Sequence, residues 1–330
     1  MSDYKNKLNN SKLLYIYKVG NVALSLACAV ICALATLFFY DYNPGYFKIG
    51  APTVILYIAI AIAIIFAVSA TIILNGDFKL SSPTSKESRP LISIIPACAF
   101  IYYAISLTPA AFNGSSKSST YFLQIALAII SFAYFFISAM EISIDKSILT
   151  VLGLVSIAPP ILIAVKSYFD YTTVMNGPEK LFMQFGMIFF ALFIINEVRF
   201  VLDSSYPRFY ICIASLSSVF CITSAANKIC ILAKNPTLVT NESLSLAVIL
   251  FALGVYSALR LIFIKQSTEV IDTVSVAVNE ETSTDTNEDT PTETSENYLA
   301  DAGEDESTEA SDESQANSKS ADVSDSEPQQ

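Results

Sequence analysis

Eight apolar segments, each long enough to cross a bilayer, constrain this chain more than any other feature of its sequence. A helix needs about 20 apolar residues to span roughly 30 Å of hydrocarbon. Short stretches with turn-forming dipeptides, such as Asn75-Gly76 and Asn113-Gly114, separate the segments. We therefore predict an all-α polytopic membrane bundle of four helical hairpins. Its helices should lie near 19–39, 52–74, 91–111, 120–140, 148–165, 181–202, 209–232 and 243–264.

Charge divides the chain into three regions. Residues 266–330 hold 19 of the 30 acidic residues and one of the 19 basic ones, so this tail carries −18. The rest carries +7, from 18 basic minus 11 acidic residues. The tail has too few large apolar side chains to offset the entropy of ordering it. We predict a basic cytosolic N-terminus at 1–18, a membrane domain at 19–265 and a disordered acidic cytosolic tail at 266–330.

The distribution of lysine and arginine predicts the orientation. With the N-terminus on one side, the loops and helix ends of that side contain twelve basic residues and those of the other side contain six. Basic residues concentrate on the cytoplasmic side of membrane proteins. We therefore expect a multi-pass protein of the cell membrane with both termini in the cytoplasm. The acidic tail is expected either to contact a cytosolic protein or to fold back onto the basic loop that contains Lys79, Lys86 and Arg89.

The even-numbered spans align on a Phe-Ala dipeptide, which occurs at residues 66–67, 132–133, 190–191 and 251–252. One interpretation is a fourfold duplicated hairpin. The other is that Phe and Ala are common in such helices, all of which must become polar where they leave the lipid. Nine residues after each Phe comes the first strongly polar position, and we interpret these four positions as a structural charge ring at the cytosolic boundary. They are Asn75, Glu141, Arg199 and Arg260. A gate or a substrate contact is the alternative.

The segment FALFIINEVR places Glu197 and Arg199 close to the end of the sixth predicted span. Residues two apart point to different sides of a helix, so these two cannot pair with each other. At about 1.5 Å per residue, both lie within roughly 8 Å of the predicted helix end. We expect their side chains to reach the membrane surface. If hairpins pack side by side, Glu141 is expected to pair with Arg199 or Arg260.

Pro159 and Pro160 lie in the middle of the fifth predicted span. Consecutive prolines remove two backbone donors and clash with the preceding turn, so they predict a helix break inside the membrane. A break of this kind is either a packing kink or a site where free carbonyls line a cavity and bind a substrate. No acidic residue accompanies it, which favours the packing kink.

The chain contains no histidine, and no recognisable catalytic motif or carboxylate at mid-membrane. An intramembrane hydrolase or proton pump therefore lacks its usual acid and base. All six cysteines lie in apolar runs, where they pack as small hydrophobic side chains, and Gln124, Asn196 and Asn227 are expected to form hydrogen bonds between helices. We predict no cofactor, no metal and no nucleic-acid partner.

The predicted function is a non-catalytic scaffold, sensor or accessory subunit in the lipid bilayer, with residues 266–330 as its contact for a cytosolic protein. The alternative is a permease for a small neutral or lipid-like molecule that uses the Pro159–Pro160 break.

Overall fold

Eight apolar helical spans form an all-α bundle, as the sequence predicts. The computed structural model describes residues 2–41, 46–48, 50–74, 80–81, 89–112, 118–140, 142, 144–170, 177–202, 206–235 and 239–266. Within these residues the helices are α1 (Ser2–Phe39), α2 (Ala51–Ile73), α3 (Arg89–Phe112), α4 (Ser118–Met140), α5 (Lys146–Val155), α6 (Ala158–Tyr168), α7 (Pro178–Val201), α8 (Pro207–Lys234) and α9 (Asn241–Phe263). α5 and α6 together make the fifth span.

The first helix is longer than its predicted apolar core. α1 begins at Ser2, and its apolar portion extends from Ser11 to Phe39, eight residues earlier than the predicted start at 19. The reason is visible at Leu14 and Tyr17, which are buried. Tyr17 packs on Phe66 of α2, with ring centroids 5.0 Å apart, and its hydroxyl is 2.8 Å from the hydroxyl of Ser69. These contacts extend the helix before the continuous apolar run begins.

The seventh span, α8, is the central helix of the bundle. It packs against α1, α2, α7 and α9, and 89% of its apolar window is buried. A helix whose apolar residues are spread over all its sides needs such an environment. Small polar side chains join it to its neighbours: the Ser218 hydroxyl lies 3.0 Å from that of Ser25 on α1, and the Ser217 hydroxyl lies 2.9 Å from that of Ser257 on α9.

Two glycines allow close approach between helices around α8. A Cβ at Gly186 on α7 would lie 3.2 Å from the backbone nitrogen of Cys221, and one at Gly254 on α9 would lie 2.6 Å from Cγ1 of Ile222. Small residues permit such contacts between membrane helices, where dispersion replaces the hydrophobic effect as the force that joins them. The backbones of α7 and α9 therefore lie against the same region of α8.

The three amide side chains that were predicted to form hydrogen bonds between helices have different partners in the structure. The amide oxygen of Asn227 on α8 accepts a hydrogen bond from the Thr36 hydroxyl of α1 at 2.8 Å, which confirms its predicted inter-helix role. Asn196 instead donates to the Leu192 carbonyl of its own helix at 2.8 Å. Gln124 is buried, and neither atom of its amide has a partner among the described residues.

Two short antiparallel ladders lie between helices. β1 (Tyr40–Asp41) pairs with β2 (Tyr46–Phe47) and closes the turn from α1 to α2. β3 (Leu80–Ser81), which follows α2, pairs with β4 (Lys265–Gln266), which follows α9. The second ladder attaches the segment after the last helix to the loop between α2 and α3.

The described residues all belong to one compact unit. The predicted disorder of the acidic tail concerns residues that, from 267 onward, lie outside the described part of the chain.

Candidate functional site

A buried ion pair joins α7 and α9 near the ends of these two helices. Arg260 of α9 donates from Nη2 to the Oε2 carboxylate oxygen of Glu197 on α7. Their side chains are only 8% and 4% exposed, respectively. Charged groups at this degree of burial persist only when they are paired, because unpaired charges lose their solvation without compensation. Glu197 and Arg260 therefore form a single electrostatic unit.

A tyrosine on α8 forms a hydrogen bond to the same carboxylate. The hydroxyl of Tyr210, on α8, donates to Oε1 of Glu197. Both carboxylate oxygens thus accept a hydrogen bond, one from each neighbouring helix. We call Glu197, Tyr210 and Arg260 the inner lock. It connects the three helices α7, α8 and α9 at one level of the bundle.

Aromatic rings pack against the residues of the inner lock. Tyr210 packs against Phe193 and Phe200, with centroid distances of 5.4 and 4.9 Å. The ring centroid of Tyr256, one turn before Arg260 on α9, lies 6.0 Å from the guanidinium carbon. Low polarity around an ion pair strengthens both the attraction and the penalty for breaking it.

The local sequence explains how Tyr210 reaches Glu197. Pro207 begins α8, where its missing N–H removes no helical hydrogen bond. Tyr210, in the first turn of α8, faces the last turns of α7. At about 1.5 Å per residue, Arg260 lies roughly 4.5 Å before the end of α9, and Glu197 lies roughly 6 Å before the end of α7. The inner lock is thus about one turn inside the bundle.

The expectation that Glu197 reaches the membrane surface is wrong. Its side chain points into the bundle, because Arg260 and Tyr210 supply donors there. Arg199, two residues later, behaves as a boundary residue: it is half-buried, and its guanidinium carbon lies 4.5 Å from the Tyr206 ring centroid. The prediction that these two residues occupy different sides of α7 is consistent with their different environments.

The structure places two of the four predicted charge-ring residues in unlike environments. Arg260 is buried in the inner lock, whereas Arg199 lies over an exposed tyrosine. Asn75 and Glu141 lie outside the described residues, so the ring and the pairing of Glu141 stay predictions. The repeat alignment also joins unlike positions, because Phe190 is fully buried and Phe251 is 52% exposed.

The opposite end of the bundle carries two further ion pairs that the sequence analysis did not identify. Lys228 of α8 lies 2.5 Å from Oε1 of Glu179 on α7. Lys166 of α6 pairs with Glu242 of α9, and its ammonium nitrogen also lies 4.5 Å from the Tyr121 ring centroid of α4. Sequence reasoning missed both pairs because their members are 49 and 76 residues apart.

Pro159 and Pro160 lie where the fifth span is interrupted. α5 ends at Val155 and α6 begins at Ala158, so both prolines fall in the first turn of α6, where a missing N–H is tolerated. Both are buried, and the buried Ser156 hydroxyl donates to the Leu152 carbonyl at 2.8 Å. The interruption packs inside the protein.

All six cysteines are free thiols, and four of them are buried.

Comparison with known proteins gives no relative: no protein-family model matches the chain, and no curated protein or solved structure is similar enough to count as a match.

Proposed function

We propose that this multi-pass membrane protein is a non-catalytic scaffold or accessory subunit of the cell membrane. In this proposal, its helices form a fixed body in the bilayer, and its acidic tail, residues 266–330, contacts a cytosolic protein. The observation that carries the proposal is the inner lock, which joins α7, α8 and α9 through buried charges.

The inner lock and the ion pair at the other end of α7 and α8 act on the same two helices. Glu197 contacts Tyr210 near one end, and Glu179 contacts Lys228 near the other. Between them, Gly186 lies close to Cys221, where a Cβ would be 3.1 Å from the Cys221 sulfur and 3.2 Å from its backbone nitrogen. Sliding α7 along α8 would break all three contacts together. Helices held in this way suit a static role better than a role that requires large helix movements.

The start of the tail is fixed to the bundle. The Lys18 ammonium donates to the carbonyl of Ile264, the first residue after α9. Ile264 is fully buried, and β4 then pairs with β3. Because Lys18 lies in the first half of α1, the beginning of the first span and the end of the last share one end of the bundle. The excess of basic residues at this end supports its assignment to the cytoplasm.

A crosslinking pull-down tests the proposal. Tagged full-length protein is compared with a variant that ends at Gln266 and so retains β4. We expect at least one cytosolic protein to be captured by the full chain and lost with the truncation. A full-length variant carrying Glu304→Gln, Asp305→Asn and Glu306→Gln is the matched control for tail charge. An identical set of captured proteins with and without the tail would contradict the scaffold proposal.

The second candidate is a permease that uses the interrupted fifth span. In that case, Ser156 would border a water-filled path, because free carbonyls at a break need a polar environment. A Ser156→Cys variant is treated with a membrane-impermeant maleimide, and the label is located by peptide mass spectrometry. A permease predicts labelling at residue 156, whereas a scaffold predicts none. Phe169→Cys, at an exposed position after α6, is the positive control.

A further inference from the structure

An apolar groove lies between the end of α1 and the beginning of α2. It has a volume of about 340 Å³ and is lined by Ile31, Leu34, Phe38, Phe39, Pro52 and Ile55. Phe38 is 71% exposed and Leu34 is 51% exposed, so the groove opens away from the bundle. In a membrane, this surface faces the acyl chains of the lipid, close to the level where the first span ends.

The β1–β2 hairpin fixes a lysine beside this groove. The backbone N–H of Lys48 donates to the carbonyl of Phe39, a lining residue, at 2.7 Å. The Thr53 hydroxyl of α2 donates to the Lys48 carbonyl at 2.8 Å. Lys48 is exposed. Hydrogen bonds to Phe39 and to Thr53 of α2 therefore hold the Lys48 backbone beside the groove, and its side chain is exposed at the surface.

A second lysine attaches to the same end of α1. The Lys234 ammonium, at the end of α8, donates to the Leu37 carbonyl at 2.6 Å. Leu37 is adjacent to the lining residue Phe38. The β1 strand also contains Asp41, so these two lysines and this aspartate together carry a net charge of +1. The Tyr46 ring, 40% exposed, adds the type of aromatic side chain that is enriched at membrane interfaces.

We propose that the groove is a binding site for an anionic phospholipid. One acyl chain occupies the groove, and the phosphate contacts Lys48 and Lys234. A zwitterionic lipid offers the same chain and phosphate, but its head group also carries a cation, which the two lysines repel. The site therefore prefers anionic to zwitterionic lipid. This proposal does not depend on the scaffold role.

The test counts lipids that remain bound to the purified full-length protein. The protein is placed in phosphatidylcholine nanodiscs with and without phosphatidylglycerol, and native mass spectrometry measures retained lipid. We expect phosphatidylglycerol to be retained in preference to phosphatidylcholine. Lys48→Gln should lower that retention roughly fivefold, the effect of about one basic residue near an anionic lipid. Leu34→Trp should lower it by filling the groove.

Two matched controls separate the site from general effects. Lys12→Gln removes an exposed charge at the other end of α1, and Ile65→Trp adds the same bulk at an exposed position of α2. Neither should change retention. Equal retention of the two lipids, or no loss in Lys48→Gln, overturns the charge preference. Loss in Lys48→Gln without loss in Leu34→Trp overturns the placement of the chain. Size-exclusion profiles and helical circular dichroism check that each variant is folded.

Discussion

Removing one member of the Glu197–Arg260 pair should destabilise the bundle more than any other single charge removal among the described residues. Arg260→Gln leaves the Glu197 carboxylate at a position with 4% side-chain exposure, where Tyr210 is the remaining donor from another helix among the residues that the structure describes. Glu197→Gln leaves the Arg260 cation at 8% exposure. In both variants the surviving charge loses its partner and cannot reach water without moving a helix.

The expected size of the effect follows from this burial. Breaking a buried ion pair by removing one partner costs about 3–5 kcal/mol, chiefly because the other charge remains unpaired. Solvent screening reduces this figure little here, because both side chains are more than nine-tenths buried. The double variant Glu197→Gln, Arg260→Gln removes both charges and places two amides side by side. Its cost should be smaller than the sum of the two single costs by at least about 2 kcal/mol.

Unfolding of the purified protein in mixed micelles, titrated with dodecyl sulfate and followed by circular dichroism, measures these free energies. Arg199→Gln is the matched control, because it removes an arginine two residues from Glu197 whose visible contact is a cation–π interaction with Tyr206. Such exposed contacts are worth about 0.5–1 kcal/mol. Additivity of the two single variants within about 0.5 kcal/mol would refute direct coupling in the inner lock. Equal losses for Arg199→Gln and Arg260→Gln would refute the argument from burial.

Three further predictions concern the Tyr210 hydroxyl, the close approach at Gly254 and the side of the membrane on which the two termini lie. Tyr210→Phe should cost about 1.5–3 kcal/mol in the same titration, since it removes one hydrogen bond to a charged group and leaves the ring packing in place; no change would show that the hydroxyl contributes nothing. Gly254→Ala should cost about 1–3 kcal/mol by forcing α9 away from Ile222. Gly50→Ala, whose Cβ meets nothing closer than 3.8 Å, should cost less than about 1 kcal/mol, the loss expected from alanine at the N-cap of α2. Epitope tags at the two termini should be digested together by protease in vesicles of one orientation and protected together in the other, and digestion of one tag alone would contradict eight spans.

The spans were predictable because one physical requirement determines them. Each helix must carry about 20 apolar residues regardless of what it packs against, so the signal is local. Where the structure departs from the prediction, a tertiary contact is responsible. The earlier start of α1 depends on the buried residues Leu14 and Tyr17. In the sequence these two residues belong to a basic segment, and the contacts of Tyr17 with Phe66 and Ser69 of α2 are visible only in the structure.

The inner lock was not predicted, although part of its signal is in the sequence. Glu197 is the one acidic residue inside the eight predicted spans. An arginine buried in a neighbouring span would need that carboxylate, since an unpaired charge in lipid is costly. Depth alone suggested that Glu197 could reach the surface. The two-residue spacing excludes Arg199 as its partner, but nothing local indicates that Arg260 of another span faces it. That contact depends on which faces of α7 and α9 meet, which is a property of the packed bundle.

The polar contacts along α7 and α8 have a consequence for how the bundle selects one arrangement. In lipid, apolar helices can slide past each other at little cost, because Leu packs on Leu in many registers. Glu197–Tyr210, Gly186–Cys221 and Glu179–Lys228 all belong to one antiparallel register. A shift of one turn would separate both charged contacts and move the glycine away from its close approach. Buried polar groups are best attested as devices that fix register. We therefore expect the inner lock to specify the arrangement of the last three helices, even where an apolar replacement of equal volume would stabilise them as well.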